Sequence, residues 1–295
     1  MTRLGFVICT MVIIGAGCEG NPRTVSSSRS APDVQMDSLE LVSPLGPRGR
    51  RSFRAGTPPD TLLLYPHGEA CVVLPQVGIR HGNRRSTIKV SVPCNENNVR
   101  ILGAAIRALG PHVIRSDRTD GVSPSAYVRY RWNGSAGDLP LCVGLLDGQD
   151  FMSEGIYREF FACAHYNLTV AVASAQCAEN LVREGEAGVA VQLYRQAFEA
   201  IDDWDREASL RASASGRIVE PLLGTRLAHA LILRADDKPP DVQCYKMVWV
   251  EVTRDVFSVT WEENAATIRF SPAWAQLLNV KAMVSCPGRS KSPAR

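Results

Sequence analysis

Five histidines, His67, His81, His112, His165 and His229, are the imidazoles available to this 295-residue chain for acid–base work or metal ligation. A hydrolytic triad needs one of them beside a nucleophile and an orienting carboxylate. The sequence contains no G-x-S-x-G elbow or comparable nucleophile context. His67-Gly68-Glu69 could supply an acid–base pair, but no second H-E or H-x-H partner follows, so a surface loop is the simpler expectation. Cys163 and His165 stand two apart, a spacing that could give a reactive thiol if the ring met the sulfur. Asp147 and Asp150 flank Gly148-Gln149 and could bind a cation or act as acid and base, although Asp-Gly is first of all a turn former. Asp202-Asp203 reads as a solvated helix face. Neither pair has the dense acidic array and closing Glu of a calcium loop. The nine cysteines include no C-x-x-C pair, which argues against a zinc ribbon or a thioredoxin-type site. These residues predict no catalytic centre, no cofactor and no metal.

The amino terminus supplies two competing motifs. Arg3 precedes an apolar run from Leu4 to Ile14, followed by Gly15, Ala16 and Gly17. A positive start, an apolar stretch of about 7–15 residues and a small-residue exit mark an export signal. The run is shorter than the roughly 20 apolar residues of a membrane span. Gly15-Ala16-Gly17-Cys18-Glu19-Gly20 also fits the G-x-G-x-x-G dinucleotide fingerprint. That motif requires a helix to open on the glycines, so that its N–H groups meet the pyrophosphate. Here Pro22 and a run of serines follow instead. Ala16-Gly17-Cys18 resembles the end of a bacterial lipoprotein signal, and that resemblance implies acylation of Cys18. Gly15 departs from it, standing where a larger aliphatic residue is usual.

Export predicts disulfides. Cys71, Cys94, Cys142, Cys163, Cys177, Cys244 and Cys286 are scattered at long spacings, the pattern of bridges in an oxidising compartment. Each long-range bridge would stabilise the fold by about 2–4 kcal/mol. One between Cys244 and Cys286 would staple the last strand group. Two sequons, at Asn133 (Asn133-Gly134-Ser135) and Asn167 (Asn167-Leu168-Thr169), are glycosylation candidates. Arg48-Gly49-Arg50-Arg51 has the R-x-R-R form cut by secretory processing proteases, with cleavage after Arg51.

Around these motifs the composition is that of a globular chain. Hydrophobic residues make up 45%, charged residues 21%, and net charge is +3, too even a balance to predict a nucleic-acid partner. Residues 1–18 are expected to be the export signal. Residues 19–60, rich in Ser, Pro, Gly and Arg with a brief apolar interruption at Leu39–Val42, are expected to be a flexible tether or propeptide. Residues 61–286 should fold, and 287–295 form a loose tail.

Within the folded part, runs at Thr61–Tyr65, Ala70–Leu74, Ser125–Trp132, Leu139–Leu146 and Leu168–Ser174 predict strands. Ser86–Val92 alternates, with Ile88, Val90 and Val92 on one face. Val99, Leu102, Ile106 and Leu109 predict a short helix stopped by Gly110-Pro111. Tyr194, Phe198, Ile201, Trp204 and Ala208 predict a long one from about Val189 to Gly216. Leu222–Leu233 is ambiguous between helix and strand. Tyr245–Thr253, Phe257–Trp261 and Thr267–Phe270 read as an antiparallel set, and Pro272–Leu278 as one or two helical turns.

The resulting expectation is an α+β fold: a mostly antiparallel sheet with one short and one long helix, disulfide-stabilised. Tyr127, Arg129 and Arg131 should share one side of a strand, opposite Tyr130 and Trp132. Such a mixed Arg/Tyr surface is common at protein interfaces. The function expected is an exported, non-enzymatic surface or secreted glycoprotein, of host or viral-envelope type, that binds another protein at a cell or virion surface. Membrane association would come only through a partner or a lipid on Cys18. The alternatives are a bacterial envelope lipoprotein anchored through Cys18 and an extracytoplasmic hydrolase, which would need a His and a carboxylate to converge in one pocket.

Overall fold

The strand that organises the sheet comes from the segment expected to be a tether. In Met36–Ser43 (β1), Leu39 and Leu41 alternate with polar neighbours and are fully buried. The computed structural model describes residues 36–43, 60–74, 80–81, 84–85, 87–116, 126–141, 151–214, 216, 223–235, 238–262 and 264–281. Met36–Ser43 pairs with two other strands of the sheet, so the fold includes a strand that precedes residue 61. Arg51, Cys18, the export signal, the 287–295 tail and the Asp147/Asp150 pair lie outside the described residues.

After β1 come β2 (Asp60–Tyr65), β3 (Glu69–Leu74), a small pair β4 (Arg80–His81) and β5 (Arg84–Arg85), and β6 (Ile88–Pro93). Helix α1 (Glu96–Ser116) leads to the hairpin β7 (Ala126–Trp132) and β8 (Ser135–Leu141). Four helices follow: α2 (Phe151–Cys163), α3 (Tyr166–Arg183), α4 (Ala187–Ala214) and α5 (Leu223–Arg234). The order closes with α6 (Val242–Thr253), the hairpin β9 (Phe257–Glu262) and β10 (Ala265–Phe270), and α7 (Pro272–Leu277).

Eight strands form one sheet in the order β8-β7-β1-β2-β3-β6-β10-β9. Every neighbouring pair is antiparallel except β6 and β10, which run parallel. The fold is therefore mixed helix and sheet, with the sheet mostly antiparallel as expected. Seven helices among the described residues replace the one short and one long of the sequence reading.

Period-two patterning decides which face is covered. Leu62, Leu64, Val72, Ile88, Val90, Val128, Leu139 and Ile268 all point to one side and are buried. Helices α1 and α2 pack there against β2 and β8, and α3 packs against β3 and β6. Helices α3 and α4 are joined by a tight turn in which Gly185 takes φ +86. Its N–H donates to the Val182 carbonyl and that of Glu186 to the Leu181 carbonyl. This paired closure needs a left-handed residue, which glycine adopts at no steric cost.

Three elements differ from expectation for identifiable reasons. Leu168–Ser174, expected to be a strand, lies in α3, which buries Leu168, Thr169, Ala171, Val172, Ala173 and Ser174 on all sides. Burial all round erases the helical stripe and leaves a run that mimics alternation. Tyr245–Thr253, also expected to be a strand, lies in α6, where the Asp241 carboxylate accepts from the Cys244 N–H at 2.8 Å and caps the first turn. Gly110-Pro111 sits inside α1 rather than ending it. A proline deletes one backbone bond, and Val99, Leu102 and Ile106 already bury the preceding turns.

The disulfide expectation is corrected. No disulfide joins Cys71, Cys94, Cys163, Cys177 and Cys244 to one another; Cys142 and Cys286 lie outside the described residues, so the Cys244–Cys286 staple lacks its described partner. Cys94, Cys163 and Cys177 are buried in the apolar core, where a thiol packs as a small hydrophobe. Burial pushes Cys94 and Cys163 up to about 12 and Cys177 up to about 11.

Candidate functional site

Two regions carry chemistry, a cleft around His165 and the face of the sheet that no described helix covers. The cleft begins at the turn between α2 and α3. There His165 takes φ 46 and ψ 44, the left-handed conformation that a side chain such as His adopts at a cost of roughly 1 kcal/mol or more. Packing holds it in place. Its ring meets Phe270 edge-on at 5.4 Å and Trp204 at 6.3 Å, while Trp204 stacks on Phe270 at 6.0 Å.

The Trp204 Nε1–H donates to His165 Nδ1 at 3.2 Å. An indole N–H can only donate, so Nδ1 carries the lone pair and the neutral ring bears its proton on Nε2. Burial, with the Arg211 charge second, holds this histidine down at about 4. At neutral pH the ring is therefore an uncharged hydrogen-bond donor. It is poorly suited to accept a proton.

The cleft has a volume of about 380 Å³ and is bounded by Asn95 and Asn98 of the α1 entry, Cys163, Glu207, Arg211 and the chain from Leu277 to Val280. Arg211 donates from one terminal nitrogen to both Glu159 oxygens at 3.0 and 2.9 Å. Asn167 donates to Glu207 at 3.0 Å. A second groove of about 460 Å³ adjoins it between α1 and α2, lined by Ile101, Leu102, Ala105, Gly155, Ile156 and Glu159, and it shares Asn98 and Arg211 with the first.

The Cys163–His165 spacing does not make a reactive pair. Burial, with Glu159 second, pushes the thiol to about 12, the opposite of what a nucleophilic thiolate needs, and the His165 Nδ1 is taken by Trp204. His67 is exposed in the β2–β3 turn, with Nε2 3.2 Å from Glu69. Arg206 pairs with Asp202 and Asp203 at 2.8 and 3.6 Å, as a solvated helix face would. No group of three His, Cys, Asp or Glu among the described residues could hold a metal ion. No helix of the described residues is long and apolar enough to cross a membrane.

Both sequons have structural roles. Asn133 and Gly134 take positive φ, 47 and 77, at the tip of the β7–β8 hairpin, the Asn-Gly pairing that two-residue hairpin turns require. The Gly134 N–H donates to Asp37 of β1 at 2.8 Å. Asn167 opens α3 with its amide engaged by Glu207, and Thr169 is fully buried, donating to the Tyr166 carbonyl. Asn133 is exposed at the hairpin tip, whereas Asn167 is half-buried.

The uncovered sheet face is built by register. Asp138, Arg129, Glu40, Leu63, Cys71, Ser91 and Thr267 lie opposite one another across seven strands. Arg129 donates to Asp138 at 3.1 Å and lies 3.8 Å from Glu40. The parallel row runs Tyr127, Val42, Thr61, Val73 and Lys89. The centre, Val42, Leu63 and Val73, is half-buried and apolar, while Tyr127, Arg129 and Arg131 on β7 are exposed. Tyr130 and Trp132 face the other way and meet edge-on at 4.4 Å, which matches the expected division of that strand.

No protein-family model, curated protein or solved structure matches this chain. In any fold, function resides in side chains such as these.

Of the residues singled out by type, the structure brings Cys163 and His165 into the cleft. Arg211 and Asn98 carried no signal of a site and Trp204 only that of an apolar helix face, because their meeting depends on α1, α2 and α4 converging. Glu207 was equally silent, since a lone glutamate on a helix reads as a solvated face.

Proposed function

We propose that this chain is a non-catalytic binding protein that engages another protein through the open face of its sheet. One observation carries the reading: exposed Tyr127, Arg129 and Arg131 border a half-buried apolar centre at Val42, Leu63 and Val73. An apolar middle with an Arg- and Tyr-bearing rim is the anatomy of a protein interface. The partner that fits presents an apolar ridge flanked by charge. Nucleic acid fits poorly, because Arg129 is balanced by Asp138 and Glu40 on the same face.

His165 and Glu207 do line one cleft, the convergence a hydrolase would need. A ring whose Nδ1 is occupied and whose proton affinity is depressed makes a weak general base, which favours the binding reading. Export to a cell or virion surface belongs to the proposal through Met1–Gly20 alone, since no disulfide joins the five described cysteines to one another. Intact-mass measurement on the mature protein tests it. Loss of the first residues supports export, and a diacylglyceryl-type addition on Cys18 selects the lipoprotein form.

The binding face is tested with a photo-crosslinking residue at position 127, against one at Leu210, which is exposed on α4. Discrete adducts from position 127 that disappear on Arg129→Glu are expected. Equal adducts from both positions would sink the proposal.

A further inference from the structure

The cleft and the adjoining groove have opposite chemistry and share a wall. The groove between α1 and α2 is apolar: Ile101, Leu102 and Ala105 face Ile156, with Gly155 opening its side. Ile101 is 60% exposed, and its branched aliphatic chain lines the groove. Gly155 is exposed and a Cβ placed on it would meet no atom within 4 Å, so a larger side chain can be accommodated at this edge of the groove. At the junction stand Arg211 and Asn98, which line both spaces, and beyond them His165 lines the polar cleft.

The polar end offers donors. The tautomer fixed by Trp204 leaves the His165 proton on Nε2. Arg211 commits one terminal nitrogen to Glu159, leaving the rest of a five-donor fork. The Asn98 backbone N–H is used by Asn95, while its side-chain amide lines both spaces. The charge felt at the imidazole is that of Arg211, which opposes protonation of the ring. Glu159 and Glu207 line the same spaces but already accept from Arg211 and Asn167, and the donors that remain at one end of an apolar groove match an anionic head on an apolar tail.

We propose that the joined cleft and groove bind a medium-chain carboxylate, its head on Arg211, Asn98 and His165 and its tail between α1 and α2. This site is separate from the sheet face and does not depend on the protein-binding proposal. Each can fail alone.

Calorimetric titration of the full chain with decanoate, acetate, decanol and decylammonium, all below micellar concentrations, tests it. Decanoate should bind at least about tenfold more tightly than each of the other three, because only it satisfies both head and tail. Gly155→Leu fills the groove from an exposed helical position and should weaken decanoate about tenfold while leaving acetate unchanged. Arg211→Gln should weaken both carboxylates. Circular dichroism and thermal unfolding verify that each variant is folded, and Gly155→Leu decides alone if Arg211→Gln is not. The proposal is overturned if decanoate does not bind, if decanol or decylammonium binds as well, or if Gly155→Leu leaves decanoate affinity unchanged.

Discussion

The seam where α4 meets the α2–α3 turn and the open face of the sheet both carry charged or polar side chains, under opposite conditions. In the seam Trp204 and Asp205 are about 1% exposed, and each contacts a polar group from another element. Trp204 donates to His165, and Asp205 accepts from the Gly224 N–H of α5 at 2.7 Å. On the sheet face Arg129, Glu40 and Asp138 pair within reach of water. A polar contact in low dielectric is costly to leave half-made, whereas one at the surface is replaced by solvent. Similar hydrogen-bond lengths in the two regions therefore imply very different energies.

The largest test of that contrast is Trp204→Ala. It removes a stacked, buried indole and leaves His165 Nδ1 without its donor. Urea unfolding should show a loss of about 3–5 kcal/mol. A loss below about 1 kcal/mol would mean that the seam is no more demanding than the surface.

Next in size is the pH dependence, because two buried groups of the seam oppose each other. His165 is held at about 4 in the fold against an ordinary 6.5, so the unfolded chain binds its proton more readily. Its contribution to stability is present above pH 6.5 and is lost as pH falls through 4. Asp205 is pushed up from 3.8 to about 6, by burial first. Its contribution is present below pH 3.8 and is lost as pH rises through 6. Each is worth about 3 kcal/mol, and the two slopes nearly cancel between pH 4 and 6.5. Asp205→Asn should expose the histidine slope, with stability rising with pH across that window. His165→Asn, which tolerates the left-handed backbone, should expose the opposite slope. Denaturation midpoints from pH 4 to 7 decide the matter, and parallel curves for the two variants would refute the opposition.

The same division explains how far the sequence could be read. On the sheet, period-two alternation announced β2, β3, β6, β7, β9 and β10 in the residues themselves, since one face is wet and the other dry. The long amphipathic α4 was visible for the same reason. β1 was hidden by its flanks, although Leu39 and Leu41 carry the alternation. In the seam the signal fails, because the first half of α3 is wrapped by other elements and its polar stripe, Gln176, Glu179, Asn180 and Arg183, begins only after Ser174. The buried set Tyr245, Val248 and the half-buried Trp249 and Val252 in α6 does follow helical spacing. Its β-branched and aromatic composition outweighed the Asp241 cap. Helix α2 was not read at all, although Ile156, Tyr157, Phe160 and Phe161 fall on one face of it. The Cys163–His165 spacing marked the right turn with the wrong chemistry, since the partner that sets the ring's tautomer is Trp204 on α4.

The smallest expected effect is the most discriminating. Arg129 is half exposed and pairs with two carboxylates that are themselves wet, and exposed pairs of this kind are worth about 0–1 kcal/mol. Arg129→Ala should lower stability by less than about 1 kcal/mol, with the difference shrinking further in high salt as screening weakens the wild-type pairs. Cross-linking from position 127 should nevertheless fall sharply in the same variant, because an arginine at an interface rim acts on the partner rather than on the fold. Stability and binding would then separate at one residue of the open face, whereas Trp204→Ala moves stability above all. If Arg129→Ala instead unfolded the protein as readily as Trp204→Ala, the charged rows across β8, β7 and β1 would be part of the structural core and the sheet face would lose its claim as a free binding surface.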